Sequence, residues 1–559
     1  MSPYLQNALI FNLFTIFPNP MKKPILLTYA LCLLLGSMAS AQWSQNPGQP
    51  TRVCSVNSVQ NNPTTIPDGQ GGAFVFWEDN RFLTSTGGNI LLYAQRFGAD
   101  GTKLFADTGK LIQTKFSGIR ETSSYGISQD RQGNFWVTYS ARNQTYDSMV
   151  VCKYDKNTLN PIWPRPKAFI KNGPGFSPIQ VLETKHIPDQ DSLIVTWYVT
   201  WMGGSNVLGW NKLDHTGKPM LANNPYFTAG GGPYFMLPNP FGGFYVVQRN
   251  GNGAGTGVTA RRINRKGTVV WGPQSITDGT PGLNYDLTVQ ADGTGGFVMM
   301  YISQSDVMAT RWDSSGNAVW SPAHKPVCNH SSIQNLPEVV YHNGFWYVAF
   351  IDNRLQNSST YMQKIDAEGN RKWNPDGRLV FTDGAYLPHP KVVLAPDGDV
   401  VVTTRSSSDG FIAQKIRPDS TLAWPGTGRV ICASSADVPF YENYTLTPGP
   451  GTLFPIWQGF FSRALFIGAV DSSGNVPTEI SGQQSSGTVL AYPNPCTDVV
   501  NLPLSTQSPE VQLLSIDGRA YVCPVTQTDH VSAIHLKGLK SGIYSVLVGE
   551  RRIRIIVKQ

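Results

Sequence analysis

The sequence predicts an all-β chain: an eight-bladed β-propeller followed by a small C-terminal β-sandwich. Two observations carry the propeller. A turn glycine recurs at Gly101, Gly217, Gly267, Gly316, Gly369 and Gly474, at spacings of 116, 50, 49, 53 and 105 residues, so the period is about 53 and two intervals span two units. Such a period marks stacked supersecondary units. The array also starts and stops on complementary pieces of one unit. The sandwich rests on a third observation, a period-two alternation over the final stretch of about 70 residues.

The clearest unit runs from Asp292-Gly293 to Trp320. The stretch from Tyr285 to Val289 supplies a first strand. After Gly295-Gly296 comes the apolar run from Phe297 to Tyr301, then a polar loop (Ser303 to Asp306) and a third strand from Val307 to Trp312. The turn Asp313 to Gly316 leads to a short fourth strand that Trp320 opens and that ends near Val327-Cys328. Short runs of β-branched and aromatic residues between turn residues read as strands. Asp and Asn cap their own backbone, and Gly takes positive φ without a Cβ clash. The same grammar recurs from Ile365 to Trp373, Ile263 to Trp271 and Leu213 to Leu221. It recurs from Ile416 to Trp424 with Ser420 for the glycine, and from Tyr154 to Trp163 with one extra residue.

The last unit breaks off. Val470 to Ile480 holds Asp471 and Gly474, but Thr478 stands where the aromatic belongs. The segment from Trp43 to Cys54 begins with the missing Trp and ends like Trp320 to Cys328 and Trp424 to Cys432. The expectation is a propeller over 43–480 whose N-terminal strand completes the last blade. Such closure removes two free sheet edges.

Composition fits this architecture. The chain has 55 Gly and 40 Pro with only 14% charged residues, which suits many turns and argues against disorder. A net charge of +7 is dilute over 559 residues and forms no basic stripe, which excludes a nucleic-acid binder. Met21-Lys22-Lys23, the apolar core from Ile25 to Leu35 and Ala39-Ser40-Ala41 read as a signal peptide over 21–41. That core is too short to span a bilayer, and no transmembrane anchor is expected in the mature chain. Residues 1–20 then read as a mis-called upstream start. Cys32 leaves with the signal. Cys54, Cys328 and Cys432 share one outer-strand position, and Cys152 sits on a third strand; all four read as buried small apolar residues. Cys496 and Cys523 are either free or paired with each other.

A polar linker over 481–488 separates the array from the terminal module, 489–559. The module contains Tyr492, Pro493, Asn494, Pro495 and Asp498 at its start and the turn Asp517-Gly518 in its middle. Leu536, Leu539, Gly542 and Tyr544 follow in a Leu-x-x-Leu-x-x-Gly-x-Tyr pattern, and Lys558 lies near the end. These ordered motifs closely resemble the C-terminal sorting domain (type A-like) of the type IX secretion system of the Bacteroidota. The resemblance implies a transport address that engages the secretion machinery and delivers the cargo to the cell surface or the medium. The repeat array also resembles propeller cargo of such bacteria, a likeness that names no ligand.

Candidate chemistry is sparse. Trp77, Asp79 and Arg81 in one unit, and Asp352 and Arg354 in another, follow a second strand. An Asp near an Arg grips a sugar or anion, or it braces its own hairpin; recurrence in two units favours bracing. Aromatics recur at the end of the second strand (Trp77, Tyr139, Trp197, Tyr301, Phe350, Trp457), and blade packing explains them better than a carbohydrate platform. The turn from Asp313 to Trp320 is similar to the Asp-box of sialidase-like propellers, but its Asp-to-Gly spacing is one residue too long. His324 and His330 lack metal-ligand company. No phosphate loop, nucleophile elbow or paired carboxylate can be selected, so no catalytic residue, metal or cofactor is assigned. The leading expectation is a secreted or surface non-catalytic binding protein for a glycan or protein. The alternatives are a sialidase- or glycosidase-like hydrolase and a structural envelope component.

Overall fold

The computed structural model describes residues 43–84, 87–112, 125–142, 147–171, 180–189, 192–200, 206–221, 226–229, 234–249, 257–277, 287–382, 389–395, 397–477, 499–502, 510–515, 520–528, 531–536, 539, 542–548 and 551–557. Segment 1–20, the signal at 21–41, the linker, and Tyr492, Pro493, Asn494, Pro495, Cys496, Asp498, Asp517, Gly518 and Lys558 lie outside them. Every regular element among the described residues is a strand. Contacts divide the chain into two units, Met1–Glu479 and Ile480–Gln559.

The first unit is an eight-bladed propeller. Seven sheets hold four antiparallel strands in sequence order: blade 1 (60–111), blade 2 (125–171), blade 3 (180–229), blade 4 (234–275), blade 5 (287–326), blade 6 (334–381) and blade 7 (391–432). Blade 8 takes three strands from 439–467, and its outer strand is Thr51–Arg52 from the front of the chain. There Thr51 pairs with Ile467 and Arg52 with Phe466. First strands touch from blade 2 through blade 8 and again between blades 8 and 1. Between blades 1 and 2, the Tyr125 hydroxyl donates to the carbonyls of Asn62 and, at 3.1 Å, Phe76. The ring is closed. Successive hairpins alternate ends, so the second-to-third-strand hairpins and the connections between blades share one face of the ring. The remaining turns share the other.

The repeated turn is fixed by its own backbone. In blade 5 the Gly316 amide donates to the Asp313 carbonyl at 3.2 Å, while Asp313 Oδ1 accepts the amides of Ser315 and Asn317 at 2.8 Å each. This places Gly316 at φ +86°, where a Cβ is strongly disfavoured. A Cβ there would also run into the previous blade. At Gly217, Gly369 and Gly474 it would come within 2.6, 2.8 and 2.7 Å of the rings of Trp163, Trp320 and Trp424. Each of these turns is therefore seated on the repeat Trp of the blade before it.

That Trp also fastens the joint. The indoles of Trp271, Trp320, Trp373 and Trp424 donate to the carbonyls of Ser314, Ala367, Pro418 and Ser472, at 3.0, 2.8, 3.0 and 3.4 Å. Each acceptor lies two residues before the turn glycine or its Ser420 substitute. Trp43 does the same for blade 1: its indole donates to Ala99 at 2.8 Å, two residues before Gly101. Trp43 is buried against Phe97 and Phe454. The N-terminal segment thus supplies both the missing strand and the missing joint residue of blade 8.

Buried amides tie third strands to the segments that follow. Gln363 donates to the Asn374 carbonyl and accepts from the Trp373 amide, and Gln95, Asn211 and Gln414 repeat the bond in their own blades. In a low-dielectric interior such polar groups persist only when satisfied.

The second unit is a small antiparallel β domain of six strands, in the order 499–502, 531–535, 520–528, 510–515, 542–548 and 551–557. Glu510 to Leu514 pair with the first half of Ala520–Thr528, and Val531 to Ile534 pair with its second half, so this strand serves two ladders. Cys54, Cys152, Cys328, Cys432 and Cys523 are buried free thiols.

Candidate functional site

The two Asp–Arg loops fold into one constellation made twice, on the face of the second-to-third-strand hairpins. Arg81 grips Asp79 with two parallel bonds, Nε to Oδ1 at 2.9 Å and Nη2 to Oδ2 at 2.7 Å; Arg354 and Asp352 repeat both distances. The remaining acceptor capacity is also spent. Asp79 receives the Trp77 indole at 2.9 Å, and Asp352 the Ser332 hydroxyl at 2.6 Å. Each guanidinium lies over a tyrosine, Arg81 on Tyr93 at 3.8 Å and Arg354 on Tyr361 at 4.0 Å. Each also donates to a carbonyl, Thr108 or Asp376, and contacts a thiol of the preceding blade's outer segment, Cys54 or Cys328.

This arrangement spans a joint between blades. Both carboxylates are fully buried. Burial pushes their pKa up, but the bonds from Arg81 and Trp77, and from Arg354 and Ser332, outweigh it and hold both below the ordinary carboxylate value. Asp79 and Asp352 are ionised and internally committed.

The second-strand aromatics are core. Trp77, Tyr139, Tyr301, Phe350 and Trp457 are all buried, and the Trp197 side chain lies outside the described residues. The histidines have ordinary partners: His324 Nδ1 meets the Tyr301 hydroxyl at 2.8 Å, and His330 Nδ1 meets Ser332 Oγ at 3.0 Å. Among the described residues no cluster of His, Cys, Asp and Glu has the makeup of a metal site. The turn at Asp313 serves its own backbone and the joint with Trp271.

What the sequence reading passed over is a hairpin tip on the same face. Phe461, in the second-to-third-strand turn of blade 8, is 78% exposed. The turn beneath it is rigidly braced. Asp437 accepts the amides of Phe461 at 2.8 Å and Ser462 at 3.0 Å, and the amides of Gly459 and Phe460 bond to Ala464 and Val438. Arg405 of blade 7 lies over Phe460, which packs edge-on against Phe461. Phe82, at the corresponding hairpin of blade 1, is 56% exposed. Leu355 and Ile333 are also exposed on blade 6, where the Asn353 amide bonds to the Ile333 carbonyl. The available signal was Phe460-Phe461 inside a turn, where a buried-core role has no strand to carry it.

In the second unit Leu536, Leu539 and Tyr544 are buried, and Gly542 opens the strand Gly542–Val548. Leu536, Leu539 and Tyr544 thus belong, with Leu513, Cys523 and Ile534, to the buried part of the domain among the described residues.

Residues 490–559 match the family described as "Secretion system C-terminal sorting domain". The protein is therefore a propeller carrying a type IX sorting domain, exported to the cell surface or the extracellular space. A search of curated proteins found no match. Solved structures similar to this chain include a puromycin hydrolase (10% identity, TM-score 0.38, covering 75% of this chain and 61% of that one). Sqt1 from Chaetomium thermophilum is similar at 10% identity and TM-score 0.41, covering 75% and 98%. An α-L-arabinanase from Penicillium chrysogenum, complexed with arabinobiose, is similar at 9% identity and TM-score 0.32, covering 76% and 98%. The chain thus spans less than two thirds of the puromycin hydrolase, and likenesses at this level speak to neither activity nor ligand.

Proposed function

We propose that the propeller is a non-catalytic binding module, delivered outside the cell by its sorting domain, that engages a glycan or protein ligand through one face. The observation that carries this reading is the braced tip holding Phe461 out into solvent. An exposed aromatic costs solubility, and a rigid one loses little entropy when it stacks on a sugar ring or fills a partner's pocket. Function sits in loops carried by a rigid scaffold, and Phe82 on the adjacent blade extends the same apolar face. Asp79 and Asp352, the acids first suspected on this face, are spent on their arginines.

The test uses the secreted full-length protein on a glycan array, in pull-downs from culture medium and on a panel of polysaccharides. Binding without product release, lost in Phe461→Ala/Phe82→Ala at unchanged melting temperature, is the expected outcome. Turnover abolished by substitution of one loop carboxylate would overturn the reading in favour of a glycosidase-like hydrolase. Full binding by the double variant would remove this face from the account.

A further inference from the structure

The Asp–Arg clamp of blades 1 and 6 has an incomplete counterpart in blade 8. Three equivalent backbone bonds fix the correspondence. The amides of Asn80, Asn353 and Phe460 donate to the carbonyls of Val59, Ile333 and Val438, at 3.1, 3.1 and 2.9 Å. Phe461 therefore stands where Arg81 and Arg354 stand, and Gly459 where Asp79 and Asp352 stand. Asp437, just before Val438, takes the place of Ser58 and Ser332.

In blade 8 the carboxylate is supplied from across the joint. A Cβ on Gly459 would lie 2.3 Å from Asp437 Oδ2, so Asp437 fills the space that an aspartate at 459 would take. Its Oδ1 accepts the Phe461 amide at 2.8 Å, as Asp352 Oδ1 accepts the Arg354 amide at 2.8 Å. The Trp457 indole donates to the Asp437 carbonyl at 2.8 Å, where the Trp77 indole reaches the Asp79 carboxylate. The guanidinium is missing. Among the described residues the Asp437 carboxylate bonds to the amides of Phe461 and Ser462 and has no ion pair. Arg405 of blade 7 lies over the Phe460 ring instead.

The platform for a guanidinium is present. Tyr93 and Tyr361, the rings beneath Arg81 and Arg354, sit opposite Trp77 and Phe350; in blade 8 Phe466 sits opposite Trp457 and stacks on it at 5.8 Å. Tyr93 and Tyr361 are buried, whereas Phe466 is half-buried. An acid is not simply what such a hairpin needs. Counted from the strand pair before each repeat turn, the Asp and Arg positions are Ser303 and Ser305 in blade 5, and Ser406 and Ser408 in blade 7. Those hairpins form without either charge. Blade 8 keeps the anion and omits the cation.

We propose that the blade 8 clamp is completed in trans, by the guanidinium of an arginine on a protein partner that also covers Phe461. This rests on the binding reading and commits it to a protein. The fold shows twice what the cradle accepts: a planar fork bonded in parallel to the carboxylate and laid on a ring. An ammonium offers neither the fork nor the flat face, and a neutral sugar leaves the anion without a countercharge.

The secreted full-length protein is used for both tests. Phe461→Arg places the missing group in cis and should raise the denaturant midpoint. The gain should vanish when Asp437→Asn is added, a change that keeps an oxygen to accept the amide at position 461. No gain, or a gain that survives Asp437→Asn, would overturn the cradle. For binding, immobilised short peptides carrying one arginine beside a leucine are compared with their lysine and citrulline counterparts. The arginine peptides should bind at least about tenfold more tightly, as a hydrogen-bonded charge pair requires. Asp437→Asn and Phe461→Arg should each remove that difference. Equal binding of arginine and citrulline peptides would overturn the proposal. A ligand lost in Phe461→Ala/Phe82→Ala but kept in Asp437→Asn would remove the arginine and leave the binding face standing, so the two readings fail separately.

Discussion

Asp352 is an anion with no water to fall back on. Removing its charge as Asp352→Ala strands the Arg354 guanidinium against Tyr361 and Cys328, and an uncompensated buried charge costs about 3–5 kcal/mol. Asp352→Ala/Arg354→Met should cost clearly less, because it removes both charges and leaves apolar volume. Denaturant midpoints of the two variants decide it; equal losses would mean that the pair is not a mutual clamp. The clamp also has a pH signature. Both Asp79 and Asp352 have pKa values depressed on folding. Their contribution is complete above the unfolded carboxylate value, about pH 4, and disappears as pH falls through the lower folded value. Asp352→Asn should therefore flatten the acid limb of the stability profile below about pH 4 and leave its shape near pH 7 unchanged. The pairing of Asp79 with Arg81 and of Asp352 with Arg354 was legible in the sequence, because a two-residue spacing after a strand admits few other geometries. Phe461 was not, since exposure depends on what packs over a turn, and one chain read in order does not reveal its neighbours.

At the scale of the element, the repeat glycine does two jobs. Gly369 sits at φ +80°, and a Cβ on it would lie 2.8 Å from the Trp320 ring. Gly369→Ala should lower stability by about 1–3 kcal/mol through strain and displacement of the indole. Blade 7 runs the reverse experiment in nature, with Ser420 at φ +74°. Ser420→Gly should raise the midpoint slightly, by about 0.5–1 kcal/mol, because relief of the left-handed strain exceeds the added chain entropy. A loss of stability in Ser420→Gly would show that the serine hydroxyl carries the turn. The turns themselves were readable from Asp, Asn and Gly at fixed offsets, since their bonds are local. The fourth strand was placed too early: Trp320 precedes the strand His324–Pro326 and serves the joint. The amides of Gln95, Asn211, Gln363 and Gln414 went unnoticed, because a glutamine on a strand looks like a solvent-facing residue until a neighbouring segment covers it.

The whole molecule is organised by two ends of the chain. Its last 70 residues, 490–559, are the sorting domain. Deleting them should leave the propeller inside the cell, as read by fractionation; full amounts in the medium would contradict the sorting role. The front of the chain closes the ring, and this closure was visible in the sequence only because the first and last units are truncated in complementary ways. Every joint and the shared face depend on it, so it is the claim to test most directly. Arg52 and Phe466 are paired across blade 8, at a separation that antiparallel strands share with disulfides. Arg52→Cys/Phe466→Cys should oxidise to an intramolecular disulfide as readily as the control pair Thr259→Cys/Ser275→Cys within blade 4, giving a protein whose fragments stay joined after proteolysis between blades. A control pair that closes while the 52–466 pair remains reduced would contradict the closed eight-bladed ring.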